Sequence, residues 1–259
     1  NAKLYYNSTM QRFFLSPKCF LDQTVLLDEP ISRQISQVLR MNVEQDQITV
    51  LDNSGMEYLV QLAGWQGKQL RGLILGQQMG KRETARAIWL CFSLTWREKL
   101  EWILQKGTEI GVAGFQPFVS ERSLSREMTT DLKRQARWET IVREAAEQSR
   151  RSRLPEVRPV LPFDALVKRE LPEVTKLIAW EDTEPSLRIT GAVLGAGQDH
   201  NEASIQLVIG PEGGFGKAEV ALAESNGYKP VSLGASTLRM ETACLVGPAI
   251  IRHVLETGE

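Results

Sequence analysis

Apolar positions along this chain follow two rhythms, and the change between them divides it. Up to about residue 75 the apolar stretches are short and bounded by turns. Arg12 to Leu15, Gln47 to Leu51, Glu57 to Leu62 and Gln69 to Leu75 read as strands, with Asn53-Ser54-Gly55 as a hairpin turn. One helix is predicted among them over Ile31 to Leu39, where Ile31, Ile35, Val38 and Leu39 recur on one face. A mostly β unit of this kind reads as a small barrel. Gly76 to Glu83 is polar and turn-rich, so the boundary between a first domain, 1–75, and a second, 76–259, is placed there.

After the boundary, strongly apolar runs alternate with helical periodicity. Ala87 to Leu94 is a strand, and Lys99 to Ile110 a helix with Leu100, Ile103, Leu104 and Ile110 inward, ended by Gly111. Phe115 to Val119 is the next strand, and Asp131 to Ser149 a long helix with Trp138, Ile141, Val142 and Ala145 at 3.6-residue spacing. Leu177 to Trp180, Ile205 to Ile209 and Val231 to Leu233 complete the strands. The alternation predicts an α/β domain with a mostly parallel sheet buried on both faces.

Composition changes this picture little. The 259 residues, 42% of them hydrophobic, are ample for packed cores, and 31 basic against 32 acidic residues say nothing about nucleic acid. The distribution says more: residues 122–153 carry nine Lys/Arg against five acids, net +4, while residues 154–259 carry nine against fifteen, net -6. Cys19, Cys91 and Cys244 have no metal-ligand spacing and suit reduced thiols in a cytoplasmic protein, and no metal site is expected. His200 and His253 have no partner at ligand spacing and read as loop and surface-helix residues. No run approaches membrane-spanning length, and the opening residues carry no charged-then-apolar signal pattern.

The chemistry concentrates between Leu207 and Ala243, where a strand, a glycine turn and a helix occur twice. Gly210-Pro211-Glu212-Gly213-Gly214 follows the first strand, and its glycine pair permits close backbone approach to a ligand. A Walker loop is excluded, because the frame ending at Gly216-Lys217 begins with Pro211 and is followed by Ala218. The dinucleotide fingerprint fails as well: Gly214-Phe215-Gly216 reaches Glu219 at its third glycine position, and Gly195-Ala196-Gly197 reaches His200. Glu212 inside the turn would repel a pyrophosphate, whereas a ligand with an adenine or amino-acid end and a positive centre would tolerate it. A purely structural glycine turn is the other reading. In the second half Arg239 and Glu241 fall in the loop or first turn of an apolar helix running toward Leu255, where backbone donors are unpaired. Either they meet a ligand there, or Glu241 merely favours the helix N-terminus and Arg239 is solvated.

Gly-Pro-Glu-Gly-Gly at 210–214, paired with Leu233-Gly234 and Leu238-Arg239-Met240-Glu241-Thr242-Ala243, closely resembles the bacterial 16S ribosomal RNA uridine-N3 methyltransferases of the SPOUT, or trefoil-knot, superfamily. Gln11-Arg12-Phe13-Phe14, Val38-Leu39-Arg40-Met41, Lys99-Leu100-Glu101-Trp102 with Gln105-Lys106, Ser120-Glu121-Arg122-Ser123 and Glu144-Ala145-Ala146-Glu147-Gln148-Ser149 match too, so the resemblance covers nearly the whole chain. The family usually has a basic residue or Asn and then Ile where this chain has Ser236-Thr237.

The resemblance implies a C-terminal trefoil-knotted α/β domain behind a small N-terminal PUA-like β-barrel, and an obligate homodimer with its active site at or near the interface. It implies S-adenosylmethionine among Ala179, Trp180, Glu181, Ile209, Gly210, Pro211, Glu212, Gly213, Gly214, Leu233, Gly234, Leu238, Arg239, Met240, Thr242 and Ala243. Its substrate would be 16S ribosomal RNA, free or in the assembled small subunit. Arg239 is expected to stabilise the uracil anion, and Glu241 to accept a proton or orient Arg239. Arg12, Arg33 and Arg40 on the barrel, and Lys106, Arg122, Glu147, Gln148 and Arg150 in the middle region, are the RNA-contact expectations, against the alternative of solvated or salt-bridged surface residues. Two other functions stay open: a non-catalytic RNA-binding or ribosome-assembly protein on the same fold, and a methyltransferase of the superfamily acting on another acceptor atom, 2'-O-ribose or guanine N1.

Overall fold

The computed structural model describes residues 10–80, 83–84, 86–125, 131–171, 173–184, 187–197 and 204–258, and His200 lies outside them. The chain folds into two compact units. One comprises 1–83 with 146–154, the other 84–145 with 155–259.

The first unit is built on a six-stranded sheet of β1 (Arg12–Phe14), β2 (Phe20–Leu21), β3 (Thr24–Leu26), β4 (Gln47–Leu51), β5 (Met56–Gln66) and β6 (Gln69–Met79), in the order β1-β4-β5-β6-β3-β2. Only β1 and β4 pair in parallel. The turn between β4 and β5 forms as expected: Asp52 accepts the Ser54 N–H at 2.9 Å, and Asn53 and Gly55 take positive φ of 68° and 100°. β6 runs on through Met79, so the start of the polar Gly76 to Glu83 stretch is strand rather than linker. The hairpin β2–β3 was missed, because strands of two and three residues carry no usable period.

The predicted helix begins earlier, as α1 (Glu29–Arg33), with Asp28 accepting the Ile31 N–H and Pro30 in its first turn, and continues as a π-helical turn over Gln34–Val38. Ile35 is buried, but Val38, expected inward, is 73% exposed. The wider π turn rotates the later positions away from the face that 3.6-residue spacing predicts. Ser32 ties the helix to the sheet: its hydroxyl donates to Leu27 O and accepts from Leu70 N.

Residues 146–154 join this unit through polar bonds. The Arg151 guanidinium, whose side chain is 4% exposed, meets Glu83 at 2.7 Å, and the same carboxylate accepts the Ser152 and Arg153 N–H groups at 3.1 Å. Ala146 packs with Phe14 and Leu51.

The second unit centres on a parallel seven-stranded sheet: β7 (Ile88–Ser93), β8 (Gly114–Val119), β9 (Glu156–Val157), β10 (Leu161–Pro162), β11 (Val174–Ala179), β12 (Ser204–Ile209) and β13 (Lys229–Val231). The main path runs β10-β8-β7-β12-β11-β13, with β9 beside β8. The period of two sorts each strand onto two cores. Ile88, Leu90, Phe92, Ile205, Leu207 and Ile209 face a core that includes residues of α2 (Arg97–Ile110), α3 (Leu132–Gln148), α5 (Ile189–Gly197) and α7 (Met240–Thr257). Cys91 and Val208 face the opposite core, with α4 (Phe163–Val167) and α6 (Lys217–Ser225). The sheet is thus covered on both sides.

α2 ends at Gly111 with φ 106°, and α3 presents Trp138, Val142 and Ala145 to the core as its spacing predicted. Arg137 of α3 and Arg97 grip Glu101 of α2, and the Arg137 hydrogen bond above all holds that carboxyl down to about 2. β13 lies two residues before the predicted run, because Ser232 already exchanges backbone bonds with Leu187 and Ile189. α5 was missed for its glycines, and its Gly195-Ala196-Gly197 sits at a helix end, not in the strand-to-helix turn a dinucleotide fingerprint requires. α7 lies close on the sheet because Gly247 leaves room for Leu207, where a Cβ would collide.

Glu83 is an ionic partner of the buried Arg151 and accepts two backbone N–H groups besides. Glu83→Ala is therefore expected to lower stability by about 3 kcal/mol, read from urea unfolding midpoints and slopes.

Candidate active site

The carboxyl ends of parallel strands are where an open α/β sheet leaves room for a ligand. Here β11, β12 and β13 end around a cleft of about 370 Å³. β12 stops at Ile209, and the 210–214 loop closes on itself through Gly214 N to Pro211 O at 2.9 Å. Gly214 has φ 69°, and a Cβ there would strike the Glu181 carboxylate; a Cβ on Gly210 would press on the Phe215 ring. A side chain at either position would have to displace its neighbour, and Gly214 also takes the left-handed backbone that glycine favours. Arg122 donates to Gly213 O at 3.0 Å, and Glu219 of α6 accepts the Gly216 N–H on one oxygen and the Glu121 N–H on the other.

The second wall is the 232–239 segment and the first turn of α7. Ser232 and Gly234 exchange short-range hydrogen bonds, Gly234 has φ 138°, and Arg239 caps the helix with extended backbone. Of the expected cofactor positions, all line this cleft except Gly213 and Thr242. Arg239 and Glu241 line it as well, and among the described residues the Arg239 side chain, exposed to solvent, makes no hydrogen bond or ion pair.

One charged lining residue escaped the sequence reading. Lys99, in the first turn of α2, stands between Glu212 and Glu241, with Nζ 3.1 Å from the first and 3.4 Å from the second. Thr95 donates to Glu212 at 2.8 Å. Glu241 Oε2, shielded from solvent, has this ionic contact but no directed hydrogen bond. Glu241 therefore pairs with Lys99 and does not orient Arg239 directly, which corrects that expectation. Burial pushes the Glu212 carboxyl up, but the Thr95 hydroxyl, its own backbone and Lys99 outweigh it and hold the group below the ordinary 4.5. The Glu212 hydrogen bond raises the Lys99 ammonium in turn, and burial first, then Glu241 and Glu212, pushes the Cys244 thiol well up. Lys99 heads the Lys-Leu-Glu-Trp run quoted above, the one signal that could have found it.

The expected RNA contacts have mixed surroundings. In the first unit Arg12 is buried against Glu57 at 2.7 Å, with side chains 10% and 9% exposed, and Glu147 accepts the Phe14 N–H. Both side chains are engaged within the first unit. Arg33, Arg40 and Gln148 are exposed and Arg150 is half-buried. In the second unit Lys106 pairs with Glu109, and Arg122 holds the glycine loop. Among the described residues no group of three His, Cys, Asp or Glu could hold a metal, and no helix is long and apolar enough to cross a membrane.

A family model described as an RNA methyltransferase domain matches residues 82–252. The chain is 34% identical to ribosomal RNA small subunit methyltransferase E of Bacillus subtilis, over 86% of this chain and 87% of that one. This chain belongs to the ribosomal RNA small subunit methyltransferase E family. The Synechocystis relative of the same name is 33% identical over 95% of this chain and 78% of its own. The Neisseria gonorrhoeae enzyme, whose crystal structure is bound to S-adenosyl methionine, superposes with a TM-score of 0.81 at 32% identity, covering 95% of this chain and 98% of that one.

A carboxylate with a depressed folded-state pKa contributes stability above its unfolded value and loses it as pH falls through the folded one. The stability gap between wild type and Glu212→Gln is therefore expected to be full at pH 7 and to close as pH falls below 4.5, in urea titrations at each pH.

Proposed function

We propose that this methyltransferase transfers a methyl group from S-adenosylmethionine to N3 of a uridine in 16S ribosomal RNA of the small subunit. The observation that carries the reading is the cleft at the carboxyl ends of β11, β12 and β13, lined by the loops through which the family resemblance implies cofactor binding. The residues fit such a ligand: Gly210 and Gly214 permit close approach, and three carboxylates against two cations give the cleft a net negative charge that suits a cationic centre. When bound, S-adenosylmethionine supplies an electrophilic methyl group on a sulfonium. Ala179, Trp180 and Glu181, Ile209 to Gly214, and Leu233, Gly234 and Leu238 to Ala243 would hold it.

The uracil N3 carries a proton at neutral pH and lies on the Watson-Crick edge. The base must therefore be unpaired or flipped, and the proton removed. Glu241 accepts that proton in this reading, and the unpaired Arg239 guanidinium offsets the negative charge that develops on the uracil carbonyl oxygens. Arg33, Arg40, Gln148 and Arg150 contact RNA. The N-terminal β unit acts as a PUA-like RNA-binding barrel, the C-terminal α/β unit is threaded as a trefoil knot, and the chain works as a homodimer in the cytoplasm, where ribosomal RNA is found.

The test is incubation with S-adenosylmethionine and unmethylated small-subunit RNA or subunits, followed by nucleoside mass spectrometry. N3-methyluridine is expected, and a methyl group found only on ribose or guanine would overturn the acceptor assignment. At saturating S-adenosylmethionine, Arg239→Ala is expected to lower the rate about 100-fold; an unchanged rate would remove Arg239 from the chemistry.

A further inference from the structure

Lys99 is the point at which three separate elements meet. It extends from the first turn of α2 to Glu212 on the loop after β12 and to Glu241 on the first turn of α7, with Nζ 3.1 Å and 3.4 Å from the two carboxylates. Its side chain is 37% exposed, so it lines the cleft rather than filling the core. Glu212 and Glu241 face it directly; Glu181 on the loop after β11 and Arg239 line the same cleft, the Thr95 hydroxyl donates to Glu212, and the buried Cys244 feels both Glu241 and Glu212. Without Lys99 two carboxylates would share that corner with no cation between them, and like charges at close range cannot both stay ionised without cost.

We propose that Lys99 is a positioning residue for methyl transfer: it holds Glu212 and Glu241 in register across the cleft and sets the net charge that the cofactor meets. The inference rests on the reaction proposed above. Two consequences follow. First, the carboxylate that takes the N3 proton must be in place when the base arrives, and the Lys99 ammonium, 3.4 Å away, holds Glu241 there. Second, Lys99 and Arg239 against Glu181, Glu212 and Glu241 leave the cleft at -1. S-adenosylmethionine carries one more positive charge than its product, S-adenosylhomocysteine, because the sulfonium becomes a thioether. The cleft therefore favours the methyl donor over the spent product by electrostatics, and Lys99 limits that preference.

The test uses Lys99→Met, with Lys99→Arg retaining the charge and thermal unfolding confirming the fold of each. If Lys99→Met does not fold, Lys99→Gln replaces it. Lys99→Met is expected to lower kcat at least tenfold while KM for the RNA stays within a few-fold of wild type. By calorimetry it should raise the ratio of affinities, S-adenosylmethionine over S-adenosylhomocysteine, several-fold. Lys99→Arg is expected to keep kcat within a few-fold of wild type and the ratio at its wild-type value. In a folded uncharged variant, either kcat or the ratio remaining at the wild-type value overturns the proposal, as does a Lys99→Arg enzyme that behaves like Lys99→Met. Failure of the wild-type chain to form N3-methyluridine would instead sink the reaction on which the proposal rests, and the affinity ratio would still decide the charge-setting role of Lys99.

Discussion

Three carboxylates, Glu181, Glu212 and Glu241, converge on one cleft, and the site depends on what offsets their repulsion. Two of them share Lys99, and Glu212 also takes the Thr95 hydroxyl. The third lies against Gly214, where only the absence of a Cβ leaves it room. The corner is therefore assembled from the ends of β11 and β12 and the starts of α2 and α7. A shift in any one of these changes the spacing of the charges, and unbalanced charge in a partly desolvated cleft is expensive.

The scaffold explains how such a corner is held in place. Parallel strands of a sheet buried on both faces cannot slip without moving their whole side-chain set to the other face. β11, β12 and β13 end together because their registers are fixed by Leu177, Leu207 and Val231 on one face and Ile178 and Val208 on the other. α7 reaches the cleft because Gly247 brings it onto Leu207, and α2 packs beside it. The N-terminal unit uses a different device: its return segment is fastened by the buried Arg151–Glu83 pair.

Much of this was legible in the sequence. Long periodic elements such as α3, and apolar runs such as β7 and β12, declare themselves because burial on one or both faces dictates residue type. The glycine loops and the Arg239 to Ala243 turn were legible through their resemblance to a family, and their residues line the cleft. What escaped was long-range or too short. Lys99 looks like any helix-surface lysine until the fold brings Glu212 and Glu241 to it. Arg12 and Glu147 look like surface charges until Glu57 and the Phe14 backbone take them up. Val38 fits a helical face only if the helix keeps its pitch, and the π turn changes it. The hairpin β2–β3 and the glycine-containing α5 carry too little period to read.

The central claim is that the two glycine-bounded loops form one cofactor site. A crystal structure of the protein with S-adenosylhomocysteine tests it most directly. The ligand is expected in the cleft between the 209–214 and 233–243 segments, with its sulfur facing the side occupied by Arg239 and Glu241. A ligand bound elsewhere on the molecule, with this cleft filled only by water, would contradict the account.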